Sequence, residues 1–187
     1  MYEGVDTVVL HDELAWEESL PVAFRPLAAA PEPSRLALLH ERNLRVLQVC
    51  SAIEEQGAIE KPDEAGLQSA DILRIEAKLN LLLDLMGQLL AAQNPRPPAV
   101  LLRFNALGAR WRSAAPPQKG AQGLLEIWLR DSLPQPLTLV THITTVAADG
   151  SITASFAPPG DAIADLIEKL AFRRHRRQVA GSRQPRR

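Results

Sequence analysis

The chain has 187 residues, 46% hydrophobic and 23% charged, a balance that excludes a disordered polymer and allows one ordinary domain with an appendage. Aromatics are only 4%, which argues against an aromatic platform for nucleic-acid bases, and the single cysteine, Cys50, excludes an internal disulfide and a cysteine-rich metal site. Net charge is −1, yet residues 173–187 hold seven arginines and no acid, so the residues before them carry −8.

The acidic opening "MYEGVDTVVLHDEL" lacks the basic and apolar regions of a signal peptide. The longest apolar block is interrupted by Asn80, Asp84 and Gln88, so no membrane span and a cytoplasmic location are expected. Two strand-like runs, "VDTVVL" and "LPVAFRPL", flank an acidic stretch, and "RPLAAAPEP" closes this segment at residue 33. Residues 34–56 then run without Gly or Pro, from Ser34 as candidate N-cap to Gly57 as candidate C-cap, and predict a first helix. "EKPDEAG" (60–66) separates it from a second, which "NPRPPA" ends at residues 94–99.

The second helix carries the strongest pattern in the chain. Residues 70–93, "ADILRIEAKLNLLLDLMGQLLAAQ", hold eleven Leu, Ile and Met residues. Ile72, Ile75, Leu79, Leu82, Met86 and Leu89 are spaced as an a/d heptad seam over nearly three heptads. Leu83 and Leu90 at e and Leu85 at g widen that face, which favours more than two strands, and a parallel homotetramer is the expected assembly. The first helix has a weaker seam, Leu36, Leu39, Asn43, Val46, Cys50 and Ile53, with Asn43 as a register-fixing polar a residue. Leu38, Leu44 and Leu47 supply a flank expected to pack on the second helix. The alternative is a monomer in which the two helices form an antiparallel hairpin on their own domain. Burying six seam residues is worth roughly 9–18 kcal/mol gross, against an association cost of about 4–15 kcal/mol, so self-association is feasible.

From Ala99 the period changes to that of strands: "AVLLRF", "ARWRS", "GLLEIWL", "LTLVTHITTV" and "ITASF", with an Asp-Gly hairpin turn in "ADGS" (148–151). "GDAIADLIEKLAFRRHRRQV" reads as a final helix, Asp161 at its start and arginines at its end. Its apolar face, Ile163, Leu166, Ile167 and Leu170, is expected to pack on the strands.

"VLLRFNALGARWRS", "GLLEIWLRD", the hairpin and "ADLIEKLAFRRHRRQ" together resemble a PilZ domain over residues 99 to about 180. The resemblance implies an α+β fold: a small six-stranded barrel with a C-terminal helix, completed by the N-terminal strands and interrupted by an inserted helical pair carrying the coiled coil. The expected divisions are 1–33, 34–94, 95–180 and a basic tail at 181–187. It also implies a place in bacterial cyclic di-GMP signalling, in motility, pilus or virulence regulation. PilZ domains hold that ligand through RxxxR before the barrel core and [D/N]xSxxG on a following strand. Guanidiniums clamp phosphates and stack on guanine, while the acid and hydroxyl bond base edges.

This sequence departs at both places. With Gly108 on the motif's glycine, Arg103 stands at the acid position and Asn105 at the serine position. Upstream the nearest pair is Arg74 and Lys78, inside the heptad helix, and the literal RxxxR spacings, Arg173/Arg177 and Arg183/Arg187, lie beyond the barrel. Weak or absent cyclic di-GMP binding follows.

The four histidines, His11, His40, His142 and His175, show no metal-ligand spacing, and no nucleophile–base motif or phosphate loop occurs, so no enzyme, metal or cofactor is expected. Glu17 and Glu18 read as solvated, and Trp16, Trp111 and Trp128 as packing residues. "FRRHRRQVAGSRQPRR" reads as a solvated helix end with a disordered tail, and a nucleic-acid adapter acting through it is a third reading. The expected function is an oligomeric interaction protein acting on protein partners. The runner-up is a cyclic di-GMP receptor with a rearranged site at Arg103, Arg110 and Arg112, or at the C-terminal arginines.

Overall fold

A computed structural model describes residues 9–10, 13–56, 67–93 and 95–182. In chain order the elements are β1 (Val9–Leu10), β2 (Glu13–Leu14), β3 (Trp16–Pro26), α1 (Pro33–Gln56), α2 (Leu67–Gln93), β4 (Ala99–Phe104), β5 (Gly108–Arg112), β6 (Gln122–Ile127), β7 (Leu137–Val146), β8 (Ser151–Phe156) and α3 (Asp161–Ser182). Six strands close into an antiparallel barrel in the order β3-β4-β5-β8-β7-β6, while β1 and β2 pair only with each other. From the N-terminal segment a single long strand, β3, enters the barrel. It begins inside the acidic stretch, at Trp16, and its first half pairs with β4 while its second half pairs with β6, which closes the cylinder.

Period-two alternation places the core. Ile152, Ala154 and Phe156 of β8 point inward, as do Leu137, Leu139 and Ile143 of β7 and Leu125 and Ile127 of β6. From α3, Ile163, Ile167 and Leu170 are buried against the same cluster and Leu166 packs at its margin. The hairpin β7–β8 turns through Gly150 at φ 78°, with the Gly150 amide donating to Ala147 O at 3.0 Å. That left-handed position explains the Asp-Gly signal.

The helices depart from expectation. α1 starts at Pro33, whose missing N–H and fixed φ suit a first turn, so Ser34 lies inside the helix rather than capping it. Gly57 lies outside the described residues. Among the described residues α1 packs on α3 and β7, not along α2. Val46, Leu47 and Cys50 are buried in the barrel cluster and Leu44 packs at its edge, while Leu38 faces solvent. Asn43 is therefore not a coiled-coil register residue. Its Nδ2 donates to Thr138 O at 2.7 Å and its Oδ1 accepts from Thr138 N at 2.9 Å. β8 pairs with β7 only from Thr141 onward, and the Asn43 amide takes the place of a strand partner for Thr138.

α2 stands apart from that core. The backbone at Asp131 and Ser132 comes within about 3.1–3.3 Å of where a Cβ on Gly87 would sit, so the helix leans on that loop at its one glycine. Just past the helix, Arg96 fixes the same loop, donating to Asp131 O at 3.1 Å and Leu133 O at 2.9 Å and pairing with Asp131 Oδ1 at 3.3 Å.

Candidate functional site

Three places carry chemistry beyond the core. The first is α2. Ile72, Ile75, Leu79, Leu82, Met86 and Leu89 are all exposed, between 55% and 65%. Leu73, Leu81, Leu83 and Leu85 are exposed too, so the apolar surface extends around the helix beyond the seam. Isolated surface leucines are ordinary, but a contiguous apolar stripe of this length is rare on the surface of a monomeric protein.

The second is the outer face of β3, β4, β5 and β8. Outward positions on β4 and β5 place Arg103 directly opposite Arg110, with Arg112 two residues further along β5. All three arginines line one depression of about 550 Å³ with Glu17, Leu101 and Ser151. Arg103 lies 3.4 Å from Glu17 and Arg112 lies 2.7 Å from Asp149, whereas among the described residues Arg110 reaches only the Ser151 hydroxyl, at 3.4 Å. Glu17 is thus paired rather than merely solvated. Hydrogen bonds from the Ser151 amide and from Arg112 hold the Asp149 carboxyl below its ordinary pKa. The motif positions, by contrast, are engaged in the fold. Asn105 is buried; its Oδ1 accepts from the Leu107 and Gly108 amides at 2.9 and 3.1 Å, and its Nδ2 donates to Leu10 O at 2.9 Å. Asn105 and Gly108 shape the β4–β5 turn.

The third is a cluster that sequence reasoning missed. Arg174 of α3 lies over the Trp16 ring at 4.0 Å, donates from Nε to Glu54 Oε1 at 2.7 Å and from Nη2 to Leu129 O at 3.2 Å, and pairs with Glu18. Arg130 is 3.9 Å from the same Glu54 oxygen. Arg173 pairs with Glu55 and donates to Ser51 Oγ at 2.6 Å. α3 extends to Ser182, so these arginines are within it rather than at a fraying end, and neither is solvated tail. Residues 183–187 lie outside the described residues. The missed signal was Glu54 on the buried face of α1, a position four residues from Cys50 that required a cation. Burial raises the Cys50 thiol above its ordinary pKa, with the Arg174 charge acting in the opposite sense.

Trp16 and Trp111 are buried and Trp128 is half-buried. His11 and the side chain of His175 lie outside the described residues, His40 is half-buried and His142 is exposed. Among the described residues no group of three His, Cys, Asp or Glu is placed to hold a metal, and no helix is long and apolar enough to cross a membrane.

A barrel of this order, with two helices between its first and second strands and a third packed on it, accompanies a family match: the model for the atypical PilZ domain, described as a cyclic di-GMP receptor, covers residues 47–184. The chain belongs to the atypical PilZ family. The matched region includes α2 and the C-terminal part of α1, whereas β3 precedes the match. Among solved structures, one similar to this PilZ chain is a pathogenic protein from Xanthomonas campestris, a tetrameric PilZ domain self-assembled through a helical bundle. It is 28% identical with a TM-score of 0.73, over 91% of this chain and 93% of that one. No curated protein matches the sequence.

Proposed function

We propose that this atypical PilZ protein is a non-enzymatic signalling adaptor that assembles through α2 into a parallel homotetramer and presents its barrels to protein partners. The observation that carries the reading is the exposed stripe on α2, which the protomer's own core leaves uncovered. With six seam residues about half exposed, completing their burial contributes roughly 5–9 kcal/mol per protomer, and the flanking leucines add to that. The bundle reported for the Xanthomonas campestris protein supports the same use of these helices. Four barrels on one bundle gain avidity for a repeated or clustered partner. The expected result in sedimentation velocity is a wild-type tetramer and a folded Leu82→Asp monomer, since Leu82 lies 57% exposed on the protomer. A Leu82→Asp protein with the wild-type sedimentation coefficient would remove α2 from the interface.

The motif positions support action without cyclic di-GMP, because Asn105 is committed to its turn and Arg103 stands where the family's acid would be. One observation favours the receptor reading named in the family's description: Arg103, Arg110 and Arg112 line one depression. Calorimetric titration with cyclic di-GMP separates the two. Saturation in the micromolar range, lost in Arg110→Ala, establishes the receptor; no saturable heat supports the adaptor.

A further inference from the structure

The arginine face continues into a second feature. Val100, Trp111 and Arg112 line both the depression and an adjoining apolar groove of about 820 Å³, whose other walls include Val22 and Phe24 of β3 and Ala115 of the loop after β5. The seam between the two is an opening in the barrel's pairing. The β4–β5 ladder consists of only two residue pairs, Arg103↔Arg110 and Phe104↔Ala109, where the other barrel ladders run to five or six. Leu101 and Leu102 on β4 and Trp111 and Arg112 on β5 thus have no partner across this seam, although each strand is paired on its other side.

Charge at the seam is arranged against the fold's own interest. Like charges directly opposite on neighbouring strands are destabilising, yet Arg103 faces Arg110. Among the described residues no carboxylate pairs with Arg110, and Arg103 Nε, buried and without a hydrogen bond of good geometry, has a single long ion pair to Glu17 at 3.4 Å. A cation pair of this kind on a body that is otherwise acidic favours an anionic occupant. The apolar groove beside it asks for a large hydrophobic side chain on the same molecule, and the unpaired strand edges offer backbone groups to an extended chain. A cyclic dinucleotide satisfies the first requirement only, since the groups that would bond its base edges are consumed in the β4–β5 turn.

We infer that the seam between β4 and β5 is a docking site for an extended acidic peptide of a partner protein, its carboxylates on Arg103 and Arg110 and one large apolar side chain in the groove between Phe24 and Ala115. This rests on the adaptor reading and specifies the partner's chemistry. Arg110 and Ala115 are both exposed, so each can be changed without opening the core.

Fluorescence anisotropy on the full chain tests it, with a fluorescein-labelled peptide of one phenylalanine flanked on both sides by glutamates. Wild type is expected to bind saturably and more weakly as salt rises. Arg110→Glu is expected to lower affinity by about tenfold or more while its melting temperature holds or rises, because a Glu there pairs with Arg103. Ala115→Trp, which fills the groove, is expected to weaken the phenylalanine peptide and leave a serine control unaffected. Equal affinity for wild type and Arg110→Glu, equal affinity for the phenylalanine and serine peptides, or no saturable binding at millimolar peptide each overturns the inference. The last leaves the adaptor reading standing. Cyclic di-GMP binding that Arg110→Glu abolishes, with no binding of peptide, overturns both.

Discussion

Replacing Arg174 by Met keeps the aliphatic stem and removes a charge that joins Glu54, Glu18, Leu129 O and the Trp16 ring. Its partner Glu54 is 1% exposed, so the carboxylate left behind cannot turn to water. Breaking a buried pair from one side costs about 3–5 kcal/mol. Loss of the stacking on Trp16 adds about 0.5–1 kcal/mol, whereas Glu18, 39% exposed, relaxes into solvent at little cost. Arg130, at 3.9 Å from Glu54, offsets part of the loss. The balance is about 3 kcal/mol, or roughly 6–12 °C in melting temperature for a chain of this size. Urea denaturation at one fixed protomer concentration measures it, because dissociation of an oligomer adds to apparent stability. Glu54→Gln in the Arg174→Met background completes a double-mutant cycle, and the double variant is expected to be more stable than the sum of the singles implies. A loss below about 1 kcal/mol, in the range of exposed pairs, or simple additivity in the cycle, would refute the assignment of this cluster as the joint between α1, α3 and β3.

Gly150→Ala is expected to destabilise by about 2 kcal/mol or more, since φ is 78° and a Cβ would sit 2.8 Å from Ser113 O; thermal melting reads the loss. Cys50 is expected to resist thiol reagents in the native protein and to react on unfolding, in a timed colorimetric assay. Its folded pKa is raised, so its contribution to stability is full below the unfolded thiol pKa and declines as pH rises above it, a decline that Cys50→Ala removes. Asp149 has the opposite sign: its depressed pKa gives a contribution present above the ordinary carboxylate value and lost as pH falls through the folded one. Carbon-detected NMR of the carboxyl is expected to show a midpoint below that value, moving up toward it in Arg112→Ala.

The barrel was legible because its strands are short apolar runs bounded by turn residues, some of them alternating. "ITASF" buries every second side chain and "LTLVTHITTV" does so from Leu139 to Ile143, and such a period survives any partner arrangement. Helix partners were not legible. The 3–4 spacing of α1, with Val46 and Cys50 in its seam, is satisfied equally by a coiled coil and by a barrel wall, and the wall is what it meets. The role of Asn43 depended on a stretch of β7 that β6 pairs on one side and β8 does not reach on the other, far away in sequence. Arg173 and Arg174 were indistinguishable in sequence from the arginines that follow them, because the acids that hold them come from α1 and β3. Arg103, Arg110 and Arg112 could be placed on one face from strand alternation alone. That the pairing stops beside them was visible only in the register.

What covers α2 decides between a tetrameric adaptor and a monomer. Light scattering of the full chain at micromolar concentration gives the mass without reference to shape. The expected result is a single species of four 20.5 kDa protomers that persists on dilution through the micromolar range. A 20.5 kDa monomer at the same concentration, with its Ile72–Leu89 stripe in water, would contradict it.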